Sequence, residues 1–331
     1  MESIFLAKFI FGNSVRKTAT QSSVASRLLW LLDLLFIGSI FALLRLLPVD
    51  TASALGNRFG RWLGPKFEKK SSIVKTNLSQ ALPDKSAAQI DQLTAQVWGN
   101  AGAVFAEYAH LEKICNTEAS QRLEIVNLGD IETFRDPASP MVIATAHLAN
   151  WELVAASAVK MGAPFAALFS PPANPWFAKL LAKHRQALGC ELLPRDASMR
   201  ALIRALEQGK SIGMVMDRRA DSGKPVPFFG RDMSTTLLPA RLALRYDCDL
   251  VPVRVERLQD AHFRVTFYPP VKSGDPQADA DTQAVQMARQ VNSQFEDWIR
   301  ARPHDWLCTK RLWPKQKVPV TPTTAPVLGA H

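Results

Sequence analysis

The sequence predicts an α/β fold: a mainly parallel sheet flanked by helices, preceded by one long apolar helix. Three observations carry this. Apolar, strand-like runs recur at Met141–Ala146, Phe165–Phe169, Ser211–Met216, Leu250–Val255 and Phe263–Tyr268. Helix-spaced stretches at 151–161, 174–188, 197–208 and 234–246 separate most of them, and strands alternating with helices of that length build parallel sheets. The third observation is a single apolar segment near the start of the chain, interrupted by one charge.

That segment, Leu28–Leu44, reads LLWLLDLLFIGSIFALL, with Asp33 its only charge and Arg27 and Arg45 at its ends. At about 1.5 Å per residue it reaches roughly 25 Å, a little short of a hydrocarbon core about 30 Å thick. It can span with snorkelling ends or lie half-embedded; a buried core helix is the competing reading. A cleavable signal is not expected, because a long polar stretch precedes the segment and no small-residue cleavage pattern follows.

Charge points the same way. The chain has 40 basic and 30 acidic side chains, a net +10. Residues 1–70 hold ten Lys or Arg against four acids and residues 302–317 five against one, so 71–301 balances to zero. Basicity beside an apolar anchor suits an anionic membrane surface. A nucleic-acid binder would carry it on the folded body, interleaved with aromatics, so no nucleic-acid partner is expected.

Residues 71–110 place Ile73, Leu78, Ile90, Leu93, Val97 and Val104 at helical spacing, with a break at Leu82-Pro83 and a cap at Asp84 or Ser86. Cys115, Cys190, Cys248 and Cys308 stand far apart, which argues against a disulfide scaffold or a zinc knuckle and for buried thiols in a reduced compartment. The chain divides into an N-terminal segment with its anchoring helix (1–50), a folded body (51–315) and a proline-containing tail expected to be disordered (316–331).

In sheets of this kind ligands sit beyond the carboxyl ends of strands. There PMVIATAHLANWEL places His147 directly after an apolar run, then Asn150 as a helix cap and candidate substrate-binding residue, then Glu152 in the first turn of the next helix. A chain reversal at 148–150 lets the Glu152 carboxylate fold back on the imidazole, fix its tautomer and raise its basicity, as a general base requires. Asp217 follows another apolar run and suits an arginine or a sugar hydroxyl. Arg185, Arg218, Arg219 and Arg241 are candidate partners for phosphate oxygens. In Pro227-Phe228-Phe229-Gly230 the aromatics either pack the loop or wall a pocket, with Gly230 allowing a turn. His110, His184, His262 and His304 read as solvated or capping. Trp30, Trp62, Trp151, Trp306 and Trp313 suit interfacial anchoring or core packing, and the basic 302–317 segment suits headgroups or an acidic carrier protein.

The setting His147-Leu-Ala-Asn-Trp-Glu152, a histidine followed after four residues by an acid, resembles the signature of glycerolipid-type acyltransferases, and in particular the bacterial late acyltransferases of lipid A biosynthesis. Four further blocks follow in order: LFSPPANPWFAKLLAKHR ending at Arg185, the stretch from Met214 to Arg245, LVPVRVER at 250–257 and RPHDWLCTKRLW at 302–313. Two positions depart from the pattern, Ala149 standing where glycine is usual and Arg218 where Gln or His is common. The resemblance implies transfer of a fatty acyl chain from a thioester, on acyl carrier protein or coenzyme A, to a hydroxyl of a saccharide lipid. His147 is then the base and Glu152 its partner, with no bound cofactor or metal. It also implies a place at the bacterial inner membrane, body on the cytoplasmic side. A lysophospholipid or other glycolipid is the alternative acceptor, and a non-catalytic membrane homologue the remaining one.

Overall fold

Seven strands form the central sheet of the computed structural model, which describes residues 23–115, 121–129, 136, 138–194 and 199–314. The basic residues before Ser23 and the tail read as disordered lie outside the described residues. Strands β1 (Leu123–Asn127), β2 (Val142–Thr145), β3 (Phe165–Phe169), β4 (Glu191–Pro194), β5 (Ser211–Val215), β8 (Leu250–Arg257) and β9 (Phe263–Phe267) take the order β1-β9-β8-β2-β5-β3-β4. Every neighbouring pair is parallel except β8 with β9. The sheet is therefore mainly parallel, as the alternating pattern predicts. All four residues of β2 are buried, because it lies in the middle of a sheet covered on both faces.

The helices are α1 (Ser23–Arg45), α2 (Val49–Leu63), α3 (Glu68–Ala81), α4 (Ala87–Glu107), α5 (Leu111–Cys115), α6 (Leu153–Lys160), α7 (Pro175–Arg185), α8 (Met199–Glu207), α9 (Leu238–Arg245) and α10 (Ala280–Ala301). The start of α4 is fixed by a reciprocal cap: the Ser86 side chain accepts from the Gln89 N–H and the Gln89 side chain accepts from the Ser86 N–H. α2 and α4 pack backbone to backbone. A Cβ on Gly56 would stand 2.4 Å from the Gly102 carbonyl oxygen, so only glycine permits that approach.

A separate hairpin pairs β6 (Lys224–Phe228) with β7 (Arg231–Thr235). Its turn residues Phe229 and Gly230 both have positive φ, the handedness that two-residue hairpins need to follow strand twist. Phe228 is fully buried against Trp306 and Trp313, and the Phe229 N–H donates to Glu296 on α10 at 2.7 Å. Core packing is thus what this loop does; neither phenylalanine faces the cleft described below.

Helix α1 is longer than the seventeen-residue apolar segment and is apolar on its exposed as well as its buried side. Asp33, Ile37 and Phe41 are buried against the body, whereas Leu28, Leu32, Leu35, Phe36 and Leu43 are exposed. The Trp30 carbonyl accepts from Asn174 at 2.9 Å and the Leu44 carbonyl lies 2.9 Å from His110 Nε2.

Candidate active site

Register brings the site together. β2 and β5 are parallel neighbours with Thr145 opposite Val215, and the Met216 N–H donates to the Thr145 carbonyl at 2.9 Å. Two residues past each strand end, His147 and Asp217 therefore emerge level with each other. His147 Nδ1 lies 2.6 Å from Asp217 Oδ1. Asp217 Oδ2 accepts from the His147 backbone N–H at 3.1 Å and from the Trp306 indole N–H at 2.9 Å.

This corrects the pairing read from the sequence. Glu152 does not hold the imidazole: its carboxylate accepts from the Tyr108 hydroxyl at 2.5 Å and from Arg185 at 2.5 and 2.8 Å. The physical reason lies in the turn. Residues 150–152 remain outside α6, so Glu152 precedes the helix rather than sitting in its first turn. From there it meets Tyr108, just past the end of α4, and Arg185 on α7, while still lining the same cleft as His147. Asn150 is likewise no cap; its side-chain amide donates to Glu107 at 2.9 Å.

Burial opposes ionisation of Asp217, but the adjoining imidazole and the Arg218 cation hold its carboxyl below the usual range. Burial and Arg218 together outweigh Asp217 and push the His147 imidazole well below its ordinary value. The imidazole is then neutral at neutral pH and donates its Nδ1 proton to the carboxylate, leaving Nε2 as the basic nitrogen. The carboxylate was expected to raise basicity; desolvation dominates instead. Burial likewise resists ionisation of Glu152, yet Arg185 and Tyr108 keep it ionised.

His147 opens into a cleft of about 630 Å³. Its lining mixes apolar side chains, among them Phe165, Leu181, Leu192 and Leu202, with the polar Ser170, Arg218, Arg219, Asp221 and Thr236. Gly213 lies under the Phe165 ring, where a Cβ would come within 2.6 Å of the ring edge. Trp151 stands edge-on to the imidazole, ring centres 4.9 Å apart.

The expected cations separate. Arg218 and Arg219 line the cleft, Arg219 with Asp221 at 3.5 Å. Arg185 reaches the cleft wall but is committed to Glu152 and Tyr108. Arg241 is not at the site: it pairs with Asp281 on the surface of α10. Phe228, Phe229 and Gly230 are absent from the lining as well. Among the described residues no cluster of His, Cys, Asp or Glu could hold a metal.

Sequence reasoning missed the supporting shell. Tyr108 sits in a 3₁₀ turn after α4, where its spacing from Val104 reads as one more core position and gives no sign of a polar role. Of the two readings open for Trp306 and Trp313, core packing holds: Trp306 is fully buried and Trp313 nearly so. The backbone beside Trp306 runs along the turn that carries His147: the Leu307 N–H donates to the His147 carbonyl at 2.9 Å and the Ala149 N–H to the Asp305 carbonyl at 3.0 Å. The 302–313 block clamps the site from behind.

The profile of the bacterial lipid A biosynthesis acyltransferases matches residues 20–315. The chain is 20% identical to a lipid A biosynthesis acyltransferase of Haemophilus influenzae, over 84% of this chain and 86% of the relative. It is 21% identical to the lipid A biosynthesis palmitoleoyltransferase of Escherichia coli, over 82% and 88% respectively. A phosphatidylinositol mannoside acyltransferase of Mycobacterium tuberculosis is 24% identical over 77% of this chain and 79% of its own.

Proposed function

Because the chain belongs to the bacterial lipid A biosynthesis acyltransferase family, we propose that it moves a fatty acyl chain from an acyl thioester, carried by acyl carrier protein, to a hydroxyl of a lipid A precursor at the inner membrane, its body on the cytoplasmic side. The enzyme class, an acyltransferase, is that of the family. The observation that supports the chemistry is the buried His147–Asp217 pair at the mouth of a half-apolar cleft.

His147 Nε2 takes the proton of the acceptor hydroxyl as its oxygen attacks the thioester carbonyl. The tetrahedral intermediate collapses with cleavage of the C–S bond, and the imidazolium returns its proton to the departing thiolate, so the products are an ester and a free thiol. No acyl-enzyme is needed, because a thioester is already activated. Asp217 keeps its charge throughout, holding the Nδ1 proton and stabilising the imidazolium. General-base assistance of this kind supplies about 10²–10⁴-fold. Backbone N–H groups at 150–152 are the donors we assign to the oxyanion. We assign Arg218 and Arg219, both in the lining of the cleft, to the acceptor phosphates, and the apolar lining residues to the acyl chain. A coenzyme A donor would use the same chemistry.

A second reading, transfer to another glycolipid, draws on the similarity to the mannoside acyltransferase, which aligns with this chain over 262 residues against 277 for the palmitoleoyltransferase. Mass spectrometry of lipids from cells with and without the protein tests both. Loss of one acyl chain from a saccharide lipid bearing phosphates is expected; a loss confined to a different glycolipid selects the second reading, and an unchanged lipid profile overturns both.

A further inference from the structure

Large hydrophobic side chains left in solvent are concentrated at one end of the chain. Among the described residues, twelve of the fifteen exposed ones fall between Val24 and Phe67. Eight belong to α1 and the turn after it, ending at Leu46; the other four are Leu55, Phe59, Trp62 and Phe67, on and just beyond α2.

The α2 residues are not scattered. Leu55, Phe59, Trp62 and Lys66 follow a spacing of four, three and four, one stripe along a helix. The buried positions Val49, Ala52 and Ser53, together with the close-packed Gly56 and Gly60, face α4 on a different sector. Arg58 and Arg61 border the stripe on its other edge, and Lys66 sits over the Trp62 ring, 3.6 Å from its centre. Phe59 and Trp62 are 58% and 60% exposed, so the stripe is open although aromatic. From 58 to 70 the chain carries Arg58, Arg61, Lys66, Lys69 and Lys70 against Glu68 alone. An apolar stripe edged by cations, with tryptophan between, matches a helix lying in the headgroup layer of an anionic bilayer.

Helix α1 limits how the chain can sit there. Its contacts with the body run from Trp30, bonded to Asn174, through Asp33, Ile37 and Phe41 to Leu44, bonded to His110. At about 1.5 Å per residue this docked stretch covers roughly 21 Å of a hydrocarbon core of about 30 Å, and the sequence from Gly12 to Arg27 ahead of it carries Asn13, Arg16, Lys17 and Arg27 in place of an apolar run. The body it docks on presents polar groups there, the Asn174 amide and the His110 and His184 rings. A helix pinned in this way has no free length with which to cross.

We propose that α1 and α2 together seat the enzyme in one leaflet of an anionic bilayer, with α1 lying along the body and not spanning, and with α2 as a second, interfacial contact. The inference rests on the reading that the enzyme works at a membrane, but not on the chemistry assigned to the cleft.

The test uses the full chain carrying one epitope tag at each terminus, in sealed membrane vesicles treated with protease from outside. Both tags digested together, or both protected together, is expected; one protected while the other is digested overturns the one-leaflet seat. Recovery of the protein without membranes would overturn the membrane reading itself, a separate outcome. For α2, the paired substitutions Phe59→Ser with Trp62→Ser, and Arg58→Glu with Arg61→Glu, are compared in binding to phosphatidylglycerol and to phosphatidylcholine vesicles. Each pair should weaken binding to phosphatidylglycerol by tenfold or more, on the order expected for such groups, and wild-type binding to phosphatidylcholine should be weaker. Binding unchanged by both pairs, or equal on the two lipids, removes α2 from the interface.

Discussion

Asp217 divides its two oxygens: Oδ1 faces the Nδ1 of His147 at 2.6 Å, while Oδ2 accepts from the His147 backbone N–H and from Trp306. In Asp217→Asn the amide oxygen must take the Oδ2 place, because two N–H donors point there. The amide nitrogen then meets Nδ1 as a donor and forces the proton onto Nε2. The imidazole keeps its place and loses its basic nitrogen. Turnover should fall by about 10²–10⁴-fold with folding preserved. Steady-state kinetics together with a melting curve checks this; a variant of near-normal kcat would remove Asp217 from the mechanism.

Glu152→Gln should act differently. It leaves Arg185, nine-tenths buried, without its counter-charge, and breaking one side of such a pair costs about 3–5 kcal/mol. Thermal or urea unfolding of the detergent-solubilised enzyme should show that loss, whereas replacing both residues by apolar ones of similar size should restore much of it. A Glu152→Gln protein of wild-type stability and greatly reduced kcat would return Glu152 to the reacting centre.

The pH dependence follows from the imidazole. Burial and Arg218 push His147 down to about 4. The neutral, basic form therefore persists as pH falls through about 6.5, where an ordinary histidine would already be protonating. On its acid side kcat/KM should stay level through that region and decline only toward the depressed value, where protonation removes the base. Arg218→Gln takes away a cation, eases protonation and should shift the acid limb upward. An acid limb centred near about 6.5 in the wild-type enzyme would contradict the neutral pair.

How much of this could be read in advance depends on what is local. The five long apolar runs are legible because strands buried on both faces are continuously apolar. Strands β1 (LEIVN) and β4 (ELLP) escape because edge strands are short and half-polar. β6 escapes because KPVPF carries two prolines, tolerated only where ladder bonds are few. Asp217 is recognisable as a strand-end residue, but its partner is not. β5 lies beside β2 although β3 and β4 intervene in the chain, so the pairing is a fact of sheet order. Glu152, five residues from His147, misleads for the converse reason: nearness in sequence says little across a turn outside helical geometry.

Ala149 occupies the turn with φ +46°, in the left-handed region, and is fully buried. Its N–H donates to the Asp305 carbonyl at 3.0 Å and its carbonyl accepts from Asn100 at 3.2 Å, so the surroundings impose the conformation. Three effects set the outcome of Ala149→Gly. Relief of left-handed strain gains about 1–2 kcal/mol. Greater freedom of the unfolded chain costs about 0.5–1 kcal/mol, and the lost buried methyl about 0.8 kcal/mol. These nearly cancel, so the variant should unfold within about 1 kcal/mol of wild type, which is why alanine is tolerated where glycine is usual. Ala149→Val has no such offset: a branched side chain is strained at that φ and overfills a closed site at a further cost of about 1–3 kcal/mol. Because the turn presents His147, the valine variant should lose activity along with stability and the glycine variant should lose neither. Melting temperatures and kcat for the two variants decide the matter; a glycine variant that unfolds far below wild type would mean that the alanine methyl, and not the backbone, sets the turn.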